Sequence, residues 1–409
     1  MAATLPSMQR LSPGLYTLRE RLFYLLLVIG GAGVATGLLA AATMEHHGHV
    51  ITGMDNQLVW GLPHVFAIFL IVAASGALNV ASIGSVFGRS LYKRRAPLSG
   101  LLTLAMLAGG LFVLMLDLGR PDRVIVAATH YNFHSVFAWN VFLYSGMFAI
   151  VALYLWTMFE RRLHPWSRTA GIAALAWRFV LTTGTGSIFG FLVARQAYQS
   201  AVLAPMFIVM SFAWGLAVFL IVQAAMFRWN DMTLHPTILK RMKNLLGLFV
   251  AALLYFMAIY HLTNLYFAKQ MDFEKFLLVD SCFAPLFWGG QVFVGGILPL
   301  ILIYHPKLGT RPGAVLAAAM AVVVGAFFTL YVFIIGGQSF PLDIFPGMET
   351  TSSFFDGQVA TYTPSLPEIL LGIGGVGLAF LITVIGVRVL KFLPADDLGH
   401  LDAAGSIAD

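Results

Sequence analysis

Side chains able to move protons or hold a polar ligand are scarce in this sequence, and most of those inside its long apolar runs crowd toward one end of them. His64, Asp117, Asn140, Tyr144, Tyr260, His261 and Asn264 form that set, and His130, His134, Arg195 and Asp280 flank it in the adjoining loops. The opposite halves of the same runs hold little beyond Asn79, Arg178 and Gln223. Ionisable and amide groups are costly in hydrocarbon, so such a one-sided set marks a candidate site. Imidazole and carboxamide can hydrogen-bond the two carbonyls of a quinone, and a carboxylate can take the proton released when a quinol is oxidised. The expected pocket places His64, Asn140, Tyr144 and His261 around a quinone head group, with Arg195 beside it and Asp117 or His134 relaying protons.

Each residue has a plainer role to set against this one. A histidine or asparagine on a buried helix often only bonds a neighbouring helix. Arg195 can serve as an interface anchor, and Asp117 with Arg120 as a helix-ending ion pair. His46, His47 and His49 look like a metal tract, yet they share one short loop without matching ligands outside it, so no metal site is expected. Haem would need two axial ligands at matched depth; at about 1.5 Å per helical residue, His64 and His261 lie roughly 8 and 9 Å below their helix ends. A pair of histidines is a thin basis for haem, and none is expected here. The one cysteine, Cys282, excludes an iron–sulfur cluster built from this chain's own thiolates.

The elements that must position these groups are membrane spans. Only 10% of the residues are charged, against roughly 25% in an ordinary soluble domain. Runs of the roughly 20 apolar residues that a span needs fall near 22–43, 59–87, 99–118, 135–158, 171–194, 203–227, 244–268, 283–304, 314–336 and 367–391. An all-α polytopic bundle of ten transmembrane helices is therefore expected. A segment 1–21 would precede it and a tail 392–409 would follow. Eighteen lysines and arginines fall in the even-numbered loops and at the two ends, against five in the odd-numbered loops. The positive-inside rule then puts both ends in the cytoplasm, and puts the polar set in the outer half. The net charge of +6 follows this loop pattern, which assigns it to orientation rather than to a nucleic-acid partner. The second and sixth runs both open on a proline, Pro63 and Pro205, which suggests two related four-helix units, two to five and six to nine, with peripheral helices.

Three motifs narrow the reading. Asp117-Leu-Gly-Arg-Pro-Asp-Arg123 ends the third run, Asn132-Phe-His-Ser-Val-Phe-Ala-Trp-Asn140 opens the fourth, and Gly190 to Pro205 contains the Ala194-Arg195 step. With them the chain resembles the NrfD/PsrC family of polysulfide-reductase-like membrane subunits. Trp60 to His64, Ser75 to Ser82 and Tyr362 to Glu368 look most like the DsrP branch, with HybB-type subunits next. The resemblance implies a haem-free subunit of the bacterial inner membrane that binds menaquinone or ubiquinone and is not catalytic alone. It also implies exchange of electrons with a periplasmic ferredoxin-like iron–sulfur partner (DsrO-like). A DsrP-like identity implies in addition a multihaem cytochrome c (DsrJ-like) and DsrM/DsrK-like subunits. Two rival classes are a transporter or channel, which the shallow, one-sided polar set disfavours, and a structural anchor without a quinone site. The sequence offers no carboxylate to an inner proton half-channel.

Overall fold

The computed structural model describes residues 20–229, 234–342 and 357–390. Ten helices in it are long and apolar enough to cross a membrane: α1 (Glu20–His47), α2 (Leu62–Ser85), α3 (Ala96–Leu116), α4 (Val136–Phe159), α5 (His164–Gly190), α6 (Leu203–Trp229), α7 (Pro236–Tyr266), α8 (Phe283–Tyr304), α9 (Pro312–Ser339) and α10 (Leu366–Val389). The expected polytopic helical bundle is thus the architecture. Helices α5 and α7 begin earlier than their apolar runs, because Arg168, Lys240, Arg241 and Lys243 ride on their opening turns. Of the expected end segments, 1–21 and 392–409, only Glu20 and Arg21 are among the described residues. Most of the long loop after Gln338 also lies outside them.

Helices α2 to α5 and α6 to α9 gather as two groups joined through α2 and α6, while α1 and α10 pack together along one flank. Lipid gives no hydrophobic drive for helix association, so close backbone approach through small residues has to supply the packing. At the centre, Gly215 of α6 sits against the backbone of Gly76 and Ala77 of α2, leaving no room for a side chain. Gly37 of α1 meets Gly374 of α10 in the same way. Replacing Gly215 by Leu would drive a side chain into main-chain atoms that cannot yield, at a cost of at least about 1–3 kcal/mol. The expected result is loss of the monodisperse protein peak on size exclusion, whereas Gly313→Leu, a position with open space around it, retains the peak.

Helix α2 is the most enclosed element and is interrupted at Leu78. An interruption at membrane depth must have its freed backbone groups satisfied by neighbours. Arg178 of α5 donates to the Ser75 carbonyl at 3.0 Å, with its guanidinium 4.9 and 5.1 Å from the Phe179 and Phe212 ring centres. The Ser99 hydroxyl donates to Ala77 O at 2.6 Å and accepts from the Ala81 N–H at 3.1 Å. These contacts explain why Arg178 and Ser99 occupy an apolar bundle.

Candidate functional site

Residues 53–61, which lead into α2, run without regular structure across the end of the bundle where the polar set lies, so their backbone groups need partners from elsewhere. Asp55 Oδ1 accepts from the N–H of Gln57 and Leu58 at 2.8 and 2.6 Å. Gln338 of α9 accepts from the N–H of Val59 and Trp60, both at 3.1 Å, and donates to Trp60 O at 2.9 Å. Arg195 donates to Gln338 O at 2.8 Å and to Gln57 O at 2.5 Å. Burial pulls its guanidinium below the usual arginine range, and the nearby Tyr198 and Asp55 oppose that shift. At α10 the wholly buried Glu368 accepts from the Tyr362 hydroxyl at 2.7 Å and from Gly53 N–H at 2.9 Å. Tyr362 in turn accepts from Leu62 N–H at 2.6 Å. Arg195 therefore splints the entry to α2, and Gln338, Tyr362 and Glu368 share that task.

This splint sets His64 in the first turn of α2, about 3 Å along the helix rather than the expected 8 Å. The difference arises because residues 59–61 stay extended and Pro63 opens the helix. His64 Nδ1 lies 2.9 Å from Asp117 Oδ2, and the Asp117 side chain is 1% exposed. The angles are wrong for a hydrogen bond, so His64 Nδ1 and both Asp117 oxygens remain without a hydrogen-bond partner. Buried polar atoms of that kind are rare and point to a group that completes them. The alternative Asp117–Arg120 pair does not form, because Arg120 bonds Asp122 at 3.0 Å on the surface. Between them Gly119 adopts φ +66°, and a side chain there would press on the His49 ring. That turn sends the chain away from α3 and leaves Asp117 facing inward.

Above the pair the Trp60 ring is 6.2 Å from His64 and within 5.5–6.3 Å of Phe137, Phe189 and Tyr198. Asn140 lies about one turn along α4 from Phe137. Its amide donates to Val136 O at 2.8 Å, while its Oδ1 is buried and unpaired. Tyr144, a turn deeper, is buried. His134 behaves differently. Its backbone closes an Asn132 turn at 3.0 Å and its ring is exposed.

His261 is not brought to this pocket. Its Nδ1 is 2.7 Å from Glu274 Oε2, and Asn264 donates to Glu274 Oε1 at 2.7 Å. Glu274 is completely buried. The helix Ala268–Lys275 folds back over α7 and turns Gln270, Phe273 and Glu274 inward. A cavity of about 20 Å³ adjoins the pair, between Tyr260, Gln291 and Phe333, with room for a single water. A ring route from His64 to His261 runs through Trp60, Tyr198, Phe333 and Tyr260, with centroid steps of 4.9–6.4 Å. The expected single pocket is thus two sites, one in each helix group. Trp60, Glu274, Gln338 and Glu368 were not among the expected residues. The spacing of Gln270, Phe273, Glu274 and Leu277 is that of a helix face turned inward, and was the available signal for Glu274. Among the described residues no group of three or more histidines, cysteines or carboxylates is placed to hold a metal.

Comparison with known proteins follows the same lines. The model of the family described as "Polysulphide reductase, NrfD" matches residues 50–342. The Hdr-like menaquinol oxidoreductase integral membrane subunit of Archaeoglobus fulgidus is 28% identical over 375 residues, covering 91% of this chain and 94% of the relative. The C polypeptide of the Wolinella succinogenes polysulfide reductase is 25% identical over 311 residues, 70% of this chain and 96% of the relative. The menaquinone reductase integral membrane subunit of Nitratidesulfovibrio vulgaris is 22% identical over 396 residues, 88% and 89% of the two proteins.

Proposed function

The chain belongs to the NrfD polysulphide reductase family, and from that premise we propose that it is the quinone-reactive membrane subunit of an oxidoreductase complex, with its head-group site at His64 and Asp117. One observation carries the reading: a fully buried carboxylate 2.9 Å from an imidazole, with the facing atoms of both left without hydrogen bonds. A head group there would meet an acceptor pair at Asp117, an imidazole at His64 and the aromatic face of Trp60. The unpaired Oδ1 of Asn140 would be a further acceptor on the α4 side. Acceptors at Asp117 and Asn140 fit the hydroxyls of a quinol, which would supply two electrons and two protons on oxidation, and an imidazole N–H at His64 fits a carbonyl of the resulting quinone.

The roles of the side chains follow from their places. Asp117 and His64, 2.9 Å apart, would each take a hydrogen bond from or give one to the bound head group, and the pair lies at the end of the bundle where a proton can leave through the 118–135 loop. Phe137, Phe189 and Tyr198 exclude water from the Trp60 side. Gln338, Arg195 and the Tyr362–Glu368 pair hold the lead into α2 and so fix the position of His64. The names of the Archaeoglobus and Nitratidesulfovibrio relatives favour menaquinone over ubiquinone.

The finer assignment rests on the loop charges and the motifs. Both termini face the cytoplasm, and a ferredoxin-like iron–sulfur partner docks outside, over the site. A DsrP-like complex would add DsrO-, DsrJ-, DsrM- and DsrK-like subunits. Substituting His64 by Ala in the assembled complex is expected to lower quinol-dependent electron transfer about 10²-fold. An unchanged rate with intact assembly would take the pair out of the site.

A further inference from the structure

At the arginine-rich end of the bundle, far from both histidine pairs, an open cavity of about 500 Å³ lies where α2, the link to α3 and α7 meet. Arg89 and Arg241 line it together with Tyr92, Asn244, Leu245 and Leu248. Neither arginine has an acidic partner among the described residues. Tyr92 is buried against them, and its hydroxyl is pushed up by burial while the nearby Arg241 and Arg95 pull the other way.

The lining changes character along α7. Arg241 stands in the second turn, Asn244 and Leu245 follow one turn on, and Leu248 one turn beyond them is 60% exposed on the lipid-facing side. From guanidinium to apolar wall is about 10 Å at 1.5 Å per residue. Ile83, near the end of α2, continues the apolar wall. Two guanidinium groups without an acidic partner among the described residues offer forked donors suited to a phosphodiester. A wall open to the bilayer at one side suits an acyl chain. A free phosphate would use the first feature and leave the second unexplained.

We propose that the Arg89–Arg241 cavity binds an anionic phospholipid, its phosphate held between the two arginines and one acyl chain laid along Leu245 and Leu248. Basic pockets between transmembrane helices on this side of a membrane recur as lipid-headgroup sites. The site is separate from the His64–Asp117 pair and does not depend on what binds there.

Full-length protein in detergent micelles, titrated with cardiolipin, phosphatidylglycerol, phosphatidylcholine or inorganic phosphate and read by native mass spectrometry and thermal unfolding, tests the assignment. The anionic lipids are expected to stay bound and raise Tm, with phosphatidylcholine and phosphate doing neither. Arg89→Gln should weaken cardiolipin binding about fivefold, and Arg89→Gln with Arg241→Gln roughly 30-fold, at ~1 kcal/mol per surface cation. Arg89 is exposed, so the single variant should fold normally even if the double variant does not. Equal cardiolipin affinity of wild type and Arg89→Gln, equal binding of phosphatidylcholine, or displacement of the lipid by millimolar phosphate would each overturn the proposal.

Discussion

Asp117→Asn is expected to abolish most quinol-dependent electron transfer, by about 10²–10⁴-fold, while the protein still assembles. Asparagine keeps the volume and one acceptor oxygen but cannot take up a proton, so the loss isolates proton transfer from packing. Assembly should survive for a specific reason. Neither Asp117 oxygen makes a hydrogen bond within the protein, so the change removes a buried charge without stranding a partner that relied on a bond to it. His134→Ala is the matched control, since its exposed ring makes no contact with the pair, and its rate should stay within about twofold of wild type. Wild-type turnover in Asp117→Asn, or a parallel fall in both variants, would sink the assignment.

What the sequence disclosed depended on the length scale of the signal. A span is an average over roughly 20 residues, and charge asymmetry is an average over loops, so the ten helices and their alternation are legible in the amino-acid order itself. Single contacts are less so. Asp117 stands out because a glycine, a proline and alternating charges mark the end of α3. Its partner does not, because Arg120 is closer in sequence than His64 and only the φ +66° turn at Gly119 parts them. Glu368 and Glu274 escape notice for the opposite reason. Glu274 sits among polar residues outside the apolar runs and Glu368 at the very start of one, where a carboxylate normally faces water. Glu368 is buried because its chain must hold Tyr362, Ser365 and Gly53 at once. Glu274 is buried because a short helix doubles back over α7. For Glu274 the only local signal is the inward spacing of Gln270, Phe273, Glu274 and Leu277, and Glu368 has none.

Depth matching misleads in the same way. His64 and His261 lie at comparable distances from the ends of their apolar runs, and that similarity suggests a shared pocket. Distance along a helix says nothing about which neighbour the side chain meets. The two histidines face different helix groups, with Trp60, Tyr198 and Phe333 packed between. Each has its own carboxylate, Asp117 in one group and Glu274 in the other. The difference between the pairs is chemical as well as spatial. Glu274 is fully engaged, with one oxygen on His261 and the other on Asn264, whereas the Asp117 oxygens are unspent. A saturated pair is what structure requires, and an unsaturated pair is what a ligand requires.

That contrast yields the opposite prediction for the second pair. Glu274→Ala should destabilise the protein by about 3–5 kcal/mol, because removing one partner strands a buried imidazole and a buried carboxamide. The expected signature is a large drop in the thermal midpoint and in the yield of monodisperse protein. Glu274→Gln should recover much of it, since a carboxamide can still bond both His261 and Asn264. In the fraction that folds, quinol-dependent turnover per assembled complex should remain near wild type, because the ring column separates this pair from His64. A combined Glu274→Leu and His261→Leu replacement, which leaves no stranded charge, should be more stable than Glu274→Ala alone. If Glu274→Gln instead folds like wild type yet loses turnover by an order of magnitude or more, His261 and Glu274 belong to the electron-transfer machinery, and the one-site reading at His64 and Asp117 must widen to both helix groups.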